Sequence, residues 1–122
     1  MLVNYRKDYE KIVMGLLSFI PDLREYDRLD DEISWGNERP RQIVLWKNTN
    51  IDQFSGVAIV EHGDDYILLR RMSFTPSERS GRNMYLFLTA IANQAPNKQV
   101  VGTLKTQSLV TNWQRSNQYG KV

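Results

Sequence analysis

The chain has 122 residues, of which 41% are hydrophobic and 25% charged. This composition predicts one globular domain over residues 1–122 and excludes disorder and fibrous repeats. Its 16 Lys and Arg against 14 Asp and Glu give a net charge of +2, which gives little support to nucleic-acid binding. The sequence contains no cysteine and one histidine, His62, so we expect no disulfide and no metal site.

The longest apolar run, residues 12–20, is shorter than the ~20 residues that a membrane span requires. A secretory signal is disfavoured because Asp8 and Glu10 precede the run and no small-residue cleavage pattern follows it. We therefore expect a cytoplasmic protein that does not bind membranes.

The first elements predicted in chain order are a strand and two helices. Residues 2–5 are predicted as a short strand, and apolar side chains at helical spacing predict a helix over residues 9–20 that Pro21 ends. A second, more exposed helix is predicted over residues 22–35, with Asp22 as its N-cap.

Three antiparallel strands are predicted next, over residues 41–46, 54–60 and 66–74. The sequence EHGDD between the last two suits a tight hairpin turn. A helix rich in apolar residues follows, and then a strand over residues 99–104 and a helix over residues 106–118, capped by Thr106 or Ser108. Because the last strand returns through a helix, we expect it to run parallel to the strand that ends at Phe74.

One segment, SFTPSERSGRNMYLFLTAIA (residues 73–92), has the layout of an anion site. A strand stops near Pro76, a polar loop follows and a helix begins. The start of a helix leaves backbone N–H groups free and carries partial positive charge. Phosphate loops usually contain two or three glycines and this one contains only Gly81, so an ordinary strand-to-helix turn is the alternative.

The order of these elements resembles that of the GNAT acyltransferases, which use acetyl-CoA. MSFTPSER (residues 72–79) resembles the family's hydrophobic strand, proline and basic residue before the cofactor loop. Residues 10–21, 41–47 and 69–79 resemble the small RibT-type GNAT proteins associated with riboflavin operons. The resemblance implies an α/β fold, with a mostly antiparallel sheet, a parallel pair of strands at the cofactor site and flanking helices.

The resemblance also implies positions for the site. The backbone of Met72, Ser73 and Phe74 would bind the thioester carbonyl and pantetheine arm of acetyl-CoA. The pyrophosphate would bind to the loop residues, which are Arg79, Ser80, Gly81, Arg82, Asn83 and Met84.

This chain departs from the family at several of these positions. Arg82 and Met84 stand where the family has small residues, although Arg82 could supply charge to the pyrophosphate. Trp113 stands where many members carry the tyrosine that protonates the thiolate, and Tyr119 is predicted to lie beyond the helix. No catalytic residue is assigned.

Other polar and aromatic residues have simpler interpretations. Glu61 and His62 are the nearest candidates for a general base, but both are interpreted as solvated residues of the hairpin turn in preference to that role. Arg70 and Arg71 are interpreted as a solvated pair on alternate faces of a strand, in preference to one of them lining a groove for an acidic acceptor. The tryptophans are expected to pack in or near the core.

The function implied is an acetyl-CoA-dependent N-acetyltransferase that acts on a small amine, with a link to riboflavin metabolism. The alternative is a non-catalytic GNAT-fold protein with a degenerate loop, serving as a ligand-sensing or assembly module. A nucleic-acid-binding module is disfavoured by the charge. A sheet edge left after the last helix could be covered by a second copy, which would make a homodimer.

Overall fold

The computed structural model describes residues 1–119, with side chains for residues 1–116. Five strands lie side by side in chain order: β1 (Leu2–Asn4), β2 (Arg41–Asn48), β3 (Gln53–His62), β4 (Tyr66–Phe74) and β5 (Gln99–Gly102). The pairs β1–β2, β2–β3 and β3–β4 are antiparallel, and the pair β4–β5 is parallel. The predicted sheet with one parallel pair is therefore confirmed.

Four α-helices flank the sheet: α1 (Glu10–Leu17), α2 (Tyr26–Gly36), α3 (Gly81–Asn93) and α4 (Gln107–Tyr119). Short 3-10 turns occur at Lys7–Tyr9, Pro21–Leu23 and Pro76–Glu78. Among the described residues, no helix combines the length and apolar character needed to cross a membrane.

Several predicted boundaries are wrong. α1 ends at Leu17 and α2 begins at Tyr26, because Pro21–Leu23 forms a separate 3-10 turn between them. Asp22 caps no helix; its carboxylate accepts hydrogen bonds of 3.3 and 3.2 Å from Arg71.

The strands also differ in extent from the prediction. Glu61 and His62 belong to β3 and pair with β4, so they do not lie in the hairpin turn. β5 stops at Gly102, two residues earlier than predicted. α4 continues to Tyr119, whose side chain lies outside the described ones.

The sheet separates two apolar cores. On one face, side chains of β2, β3 and β4 pack against α3 and α4, with Phe74 and Phe87 in edge-to-face contact at 5.9 Å between ring centroids. On the other face, the sheet packs against α1 and α2 around residues such as Val13, Leu17 and Ile33. Apolar side chains of β2 and β3 are buried on both faces, which fixes these two strands between the two layers of helices.

A β-bulge interrupts β4 at Arg70. Ile59 of β3 pairs with Arg71, while its neighbour Val60 pairs with Leu69, so Arg70 is the extra residue. A bulge breaks the alternation of side chains along a strand. Arg70 and Arg71 therefore both reach α2, and their interpretation as a solvated pair on alternate faces is wrong.

Candidate functional site

β4 and β5 separate halfway along β4. Their pairing runs from Tyr66 with Gln99 to Leu69 with Gly102, and within residues 1–119 no strand pairs with the β5-facing edge of residues 70–74. The chain turns sharply after Gly102, where an added Cβ would lie 2.7 Å from the backbone of Gln107. Thr106 holds this turn against β4 by donating its hydroxyl to the Leu69 carbonyl at 2.7 Å.

We call the unpaired β5-facing side of residues 70–74 the open edge of β4. It presents the backbone groups of Met72 and Phe74. Thr75 donates its N–H to the Ser55 carbonyl at 2.9 Å, and in the same register Ser73 pairs with Val57, so Ser73 directs its backbone groups toward β3. Successive residues of a strand point their N–H and C=O groups to opposite edges. The groups of Met72 and Phe74 therefore point into the gap between β4 and β5.

Ser73 contributes in a different way from its two neighbours. Its hydroxyl is buried and donates to the Leu16 carbonyl of α1 at 2.6 Å. Three residues of β4 were predicted to contact the cofactor. The geometry favours Met72 and Phe74 for contact with a ligand, while Ser73 joins the strand to α1.

The start of α3 lies at the end of the same strand. Ser80 is its N-cap and accepts the Asn83 N–H at 3.2 Å, and the Ser80 carbonyl accepts the Met84 N–H at 3.1 Å. In the described part of the chain, the N–H groups of Gly81 and Arg82 have no hydrogen-bond partner. Together with the helix dipole, they form a local positive end that can bind an anion.

The side chains around this helix start leave it accessible. A Cβ added at Gly81 would meet no atom within 4 Å. Met84 packs against the core, and Arg82 lines a separate cavity of 300 Å³ with Glu78 and residues of the β2–β3 turn. Arg79 is exposed and donates to the Phe74 carbonyl at 3.4 Å, which places a positive charge between the open edge and the helix.

Two adjoining cavities of 540 and 390 Å³ lie beside the bulge. We call their combined lining the arginine groove; its polar and aromatic residues include Asp22, Glu32, Trp35, Arg70, Arg71 and Lys105. These residues come from the α1–α2 connection, α2, β4 and the β5–α4 turn. From sequence, a groove lined by Arg70 or Arg71 is the less favoured interpretation of these residues, because only the fold brings these separate segments together.

Arg71 organises the acidic side of the arginine groove. Its Nε donates to Glu32 at 3.0 Å, and its two terminal nitrogens donate to Asp22 at 3.3 and 3.2 Å. The hydrogen bonds from Arg71 lower the pKa of Asp22 below its ordinary value of 3.8. Asp22 is therefore ionised near neutral pH and a weak proton acceptor.

Of the other residues considered from sequence, Trp113, His62 and Glu61 line neither cavity of the arginine groove. Trp113 is buried and donates its indole N–H to Thr89 at 3.0 Å between α3 and α4, so it is a core residue. His62 shares a 2.8 Å hydrogen bond with Gln42, and burial, followed by the charge of Lys98, lowers its pKa. Glu61 lies 3.6 Å from Arg70. In the described chain, no cluster of three or more acidic or histidine side chains could hold a metal ion.

No protein-family model matches the chain. A curated relative from Bacillus methanolicus, described as an uncharacterized N-acetyltransferase in the lysA 3' region, is 30% identical over 115 residues, covering 90% of this chain and 92% of the relative. This match extends over nearly the whole of both chains.

Solved acetyltransferase structures share the fold. An aminoglycoside 6'-N-acetyltransferase complexed with coenzyme A superposes with a TM-score of 0.63 at 13% identity, covering 84% of this chain and 60% of that one. An aminoglycoside 6'-N-acetyltransferase from Acinetobacter baumannii gives a TM-score of 0.62 at 13% identity, covering 89% and 88%. At such identities the likeness concerns the fold, and this chain spans only 60% of the length of the coenzyme A complex.

Proposed function

We propose that this chain, which belongs to the GNAT N-acetyltransferase family, transfers the acetyl group of acetyl-CoA to the nitrogen of a small amine. The observation that carries the proposal is the open edge of β4 leading to the accessible start of α3. One feature can pair with an extended amide-containing arm, and the other can bind a phosphate group.

The residues present fit acetyl-CoA as a co-substrate. The backbone groups of Met72 and Phe74 would pair with the amides of the pantetheine arm. The N–H groups of Gly81 and Arg82 would bind the pyrophosphate, with the Arg79 side chain adding positive charge. Acetyl-CoA supplies an acetyl group activated as a thioester.

The transfer requires one bond to form and one to break. The amine nitrogen bonds to the acetyl carbon while the carbon–sulfur bond breaks; the nitrogen loses a proton to water, and the sulfur takes up a proton from water to give CoA. An N–H group at the open edge of β4 stabilises the negative charge that develops on the carbonyl oxygen. The chain contributes position and backbone polarity, and no side chain is assigned as acid or base.

The absence of cysteine allows a direct assay of this reaction. A thiol reagent will detect released CoA without background from the protein. With acetyl-CoA and a panel of primary amines, we expect thiol release that depends on both protein and amine. Acetyl-CoA binding without turnover of any amine would contradict the catalytic proposal.

A second candidate function is a non-catalytic ligand sensor or assembly module. The burial of Trp113 favours it, because the position matched to the tyrosine of many family members supplies no acid to a departing thiolate. Arg82→Gly tests whether the loop has lost its ligand. A native protein that ignores acetyl-CoA, with a variant that binds it, would favour this second candidate.

The proposal also includes a cytoplasmic location and an amine acceptor linked to riboflavin metabolism. The support for this acceptor is the similarity of residues 10–21, 41–47 and 69–79 to RibT-type proteins. Primary amines from flavin synthesis belong in the assay panel, and failure to acetylate any of them while other amines react would contradict the link.

A homodimer is the final part of the proposal. β5 is an edge strand, and within residues 1–119 no strand lies on its outer side. A second copy could cover this edge. Size-exclusion chromatography with light scattering should give twice the monomer mass, and a strictly monomeric protein would contradict the proposal.

A further inference from the structure

Arg70 is a guanidinium with unused hydrogen-bonding capacity inside the arginine groove. Its side chain is 33% exposed and lines both cavities. Glu61 lies 3.6 Å away, beyond hydrogen-bond distance, and among residues 1–116 Arg70 makes no side-chain hydrogen bond. One terminal nitrogen therefore contributes to an ion pair with Glu61, and the N–H donors of Arg70 form no hydrogen bond that a ligand would have to replace.

The orientation of Arg70 is nevertheless fixed. Its guanidinium lies 4.7 Å from the ring centroid of Trp35. Arg41 lies over the same indole at 4.2 Å and donates its Nε to the Trp35 carbonyl at 2.7 Å. Trp35 is thus held in place, and its cation–π contact orients the guanidinium of Arg70 in advance of binding.

The carboxylates of the arginine groove are already engaged. Both Asp22 and Glu32 accept hydrogen bonds from Arg71, whose side chain is only 19% exposed. Lys105 lies 3.6 Å from Asp22 but is 75% exposed. Both acidic side chains of the lining therefore pair with Arg71 or Lys105, and neither pairs with Arg70, whose ion-pair partner among residues 1–116 is Glu61 outside the lining.

We infer that the acceptor is an amine that also carries a carboxylate, and that Arg70 binds this carboxylate. The inference rests on the proposed acetyl transfer. A planar guanidinium matches a carboxylate with two parallel hydrogen bonds. Arg70 and Met72 line the same cavity of 390 Å³, and the backbone groups of Met72 face the gap between β4 and β5. A carboxylate at Arg70 and an amine at the open edge would therefore occupy one cavity, which suits a small amino acid.

Matched acceptors test this specificity. Glycine, β-alanine and 4-aminobutyrate are each compared with the corresponding amide, and kcat/KM is measured by thiol release. We expect at least one of the acids to be preferred over its amide by about tenfold or more, because hydrogen bonds to charged groups contribute about that factor. Equal rates for every acid and its amide would overturn the inference.

Variants of Arg70 separate recognition from structure. Arg70→Gln should raise KM for the preferred acid by about tenfold or more, with kcat little changed and the KM of the amide unaltered. Arg70→Lys should keep part of the preference. Arg115→Gln, on the exposed surface of α4, makes the same change in net charge and should leave the KM of both the acid and the amide unchanged. Parallel loss of activity toward acid and amide in Arg70→Gln would contradict a role in carboxylate binding.

A binding measurement distinguishes this inference from the proposed function. The same three acids are titrated into the full chain without acetyl-CoA, and chemical shifts are followed by NMR. Shifts at groove residues that Arg70→Gln abolishes would support the carboxylate site even if acetyl-CoA does not bind. Absence of shifts with all three acids at high millimolar concentration would overturn it.

Discussion

Gly81 is the residue where side-chain size should matter most for the cofactor. A Cβ there meets no protein atom within 4 Å, so Gly81→Ala should not lower the stability of the fold. The same methyl group would enter the space in front of the free N–H groups of α3, where we place the pyrophosphate. We expect the affinity for CoA, measured by calorimetry, to fall about tenfold, in proportion to one weakened charged hydrogen bond.

Gly15→Ala is the matched control for this variant. Gly15 lies on α1, and a Cβ there also meets no atom within 4 Å. It should leave CoA affinity unchanged. Equal affinities in the two variants would contradict the position assigned to the pyrophosphate.

Asp22 should make the stability of the protein depend on pH in the acid range. The hydrogen bonds from Arg71 lower its pKa below the ordinary 3.8, so the folded state holds the ionised carboxylate more strongly than the unfolded state does. This contribution is fully present above the unfolded pKa and is lost as pH falls through the folded pKa. Asp22→Asn should therefore flatten the decline of the unfolding free energy at acid pH.

Urea unfolding between neutral pH and pH ~2 measures this effect, which spans the range where carboxylates titrate. Asp64→Asn, in the exposed β3–β4 turn, serves as the control. If the Asp22 variant loses stability with falling pH as steeply as the wild type does, the ion pair with Arg71 does not contribute.

At the scale of elements, the N-terminus of α3 combines a structural cap with the proposed pyrophosphate site. Ser80→Ala removes the cap that accepts the Asn83 N–H and should lower stability by about 1 kcal/mol. Ser80→Asp keeps a good cap but adds a negative charge beside the free N–H groups. The aspartate variant should therefore retain its stability, and its affinity for CoA should fall about tenfold, which corresponds to the loss of one hydrogen bond to a charged group.

Thermal unfolding and CoA titration of the two Ser80 variants separate these roles. If the aspartate variant binds CoA as tightly as the wild type does, the negative charge does not meet the ligand. The start of α3 would then be an ordinary strand-to-helix turn.

The sequence was sufficient to predict elements whose patterns are local. The apolar and β-branched runs gave the antiparallel strands, and the return through a helix gave the parallel pair of β4 and β5. The bulge at Arg70 could not be predicted, because strict alternation places neighbouring arginines on opposite faces. The prediction that a helix begins at Asp22 was wrong because Pro21 starts a 3-10 turn. The side chain of Asp22 binds Arg71, which lies in a distant part of the sequence.

The candidate site was predicted only in part, for the same physical reason. The segment from Met72 to Met84 is continuous, and its strand, proline and cap residues carry a local signal. The arginine groove depends on Trp35, Arg70 and Lys105, which meet only after the sheet and helices have packed. The backbone groups of Met72 and Phe74 face the opposite edge of β4 from those of Ser73, and this assignment also required the register of β3 against β4.

At the scale of the whole molecule, two surfaces meet at the separation of β4 from β5. The open edge and the start of α3 provide backbone groups for a cofactor, while the arginine groove lies against the α1–α2 connection. Arg71 joins that connection to β4 through Asp22. In the proposed reaction, this arrangement would bring acetyl-CoA and the acceptor to β4 from different segments of the chain.

The central claim is that the open edge of β4 and the start of α3 bind acetyl-CoA. Isothermal titration of the full chain with acetyl-CoA and with CoA at moderate salt tests it most directly. We predict binding of both ligands in the micromolar range, with CoA affinity reduced in the Gly81→Ala and Ser80→Asp variants. Absence of binding to the wild-type protein at millimolar ligand would contradict the claim.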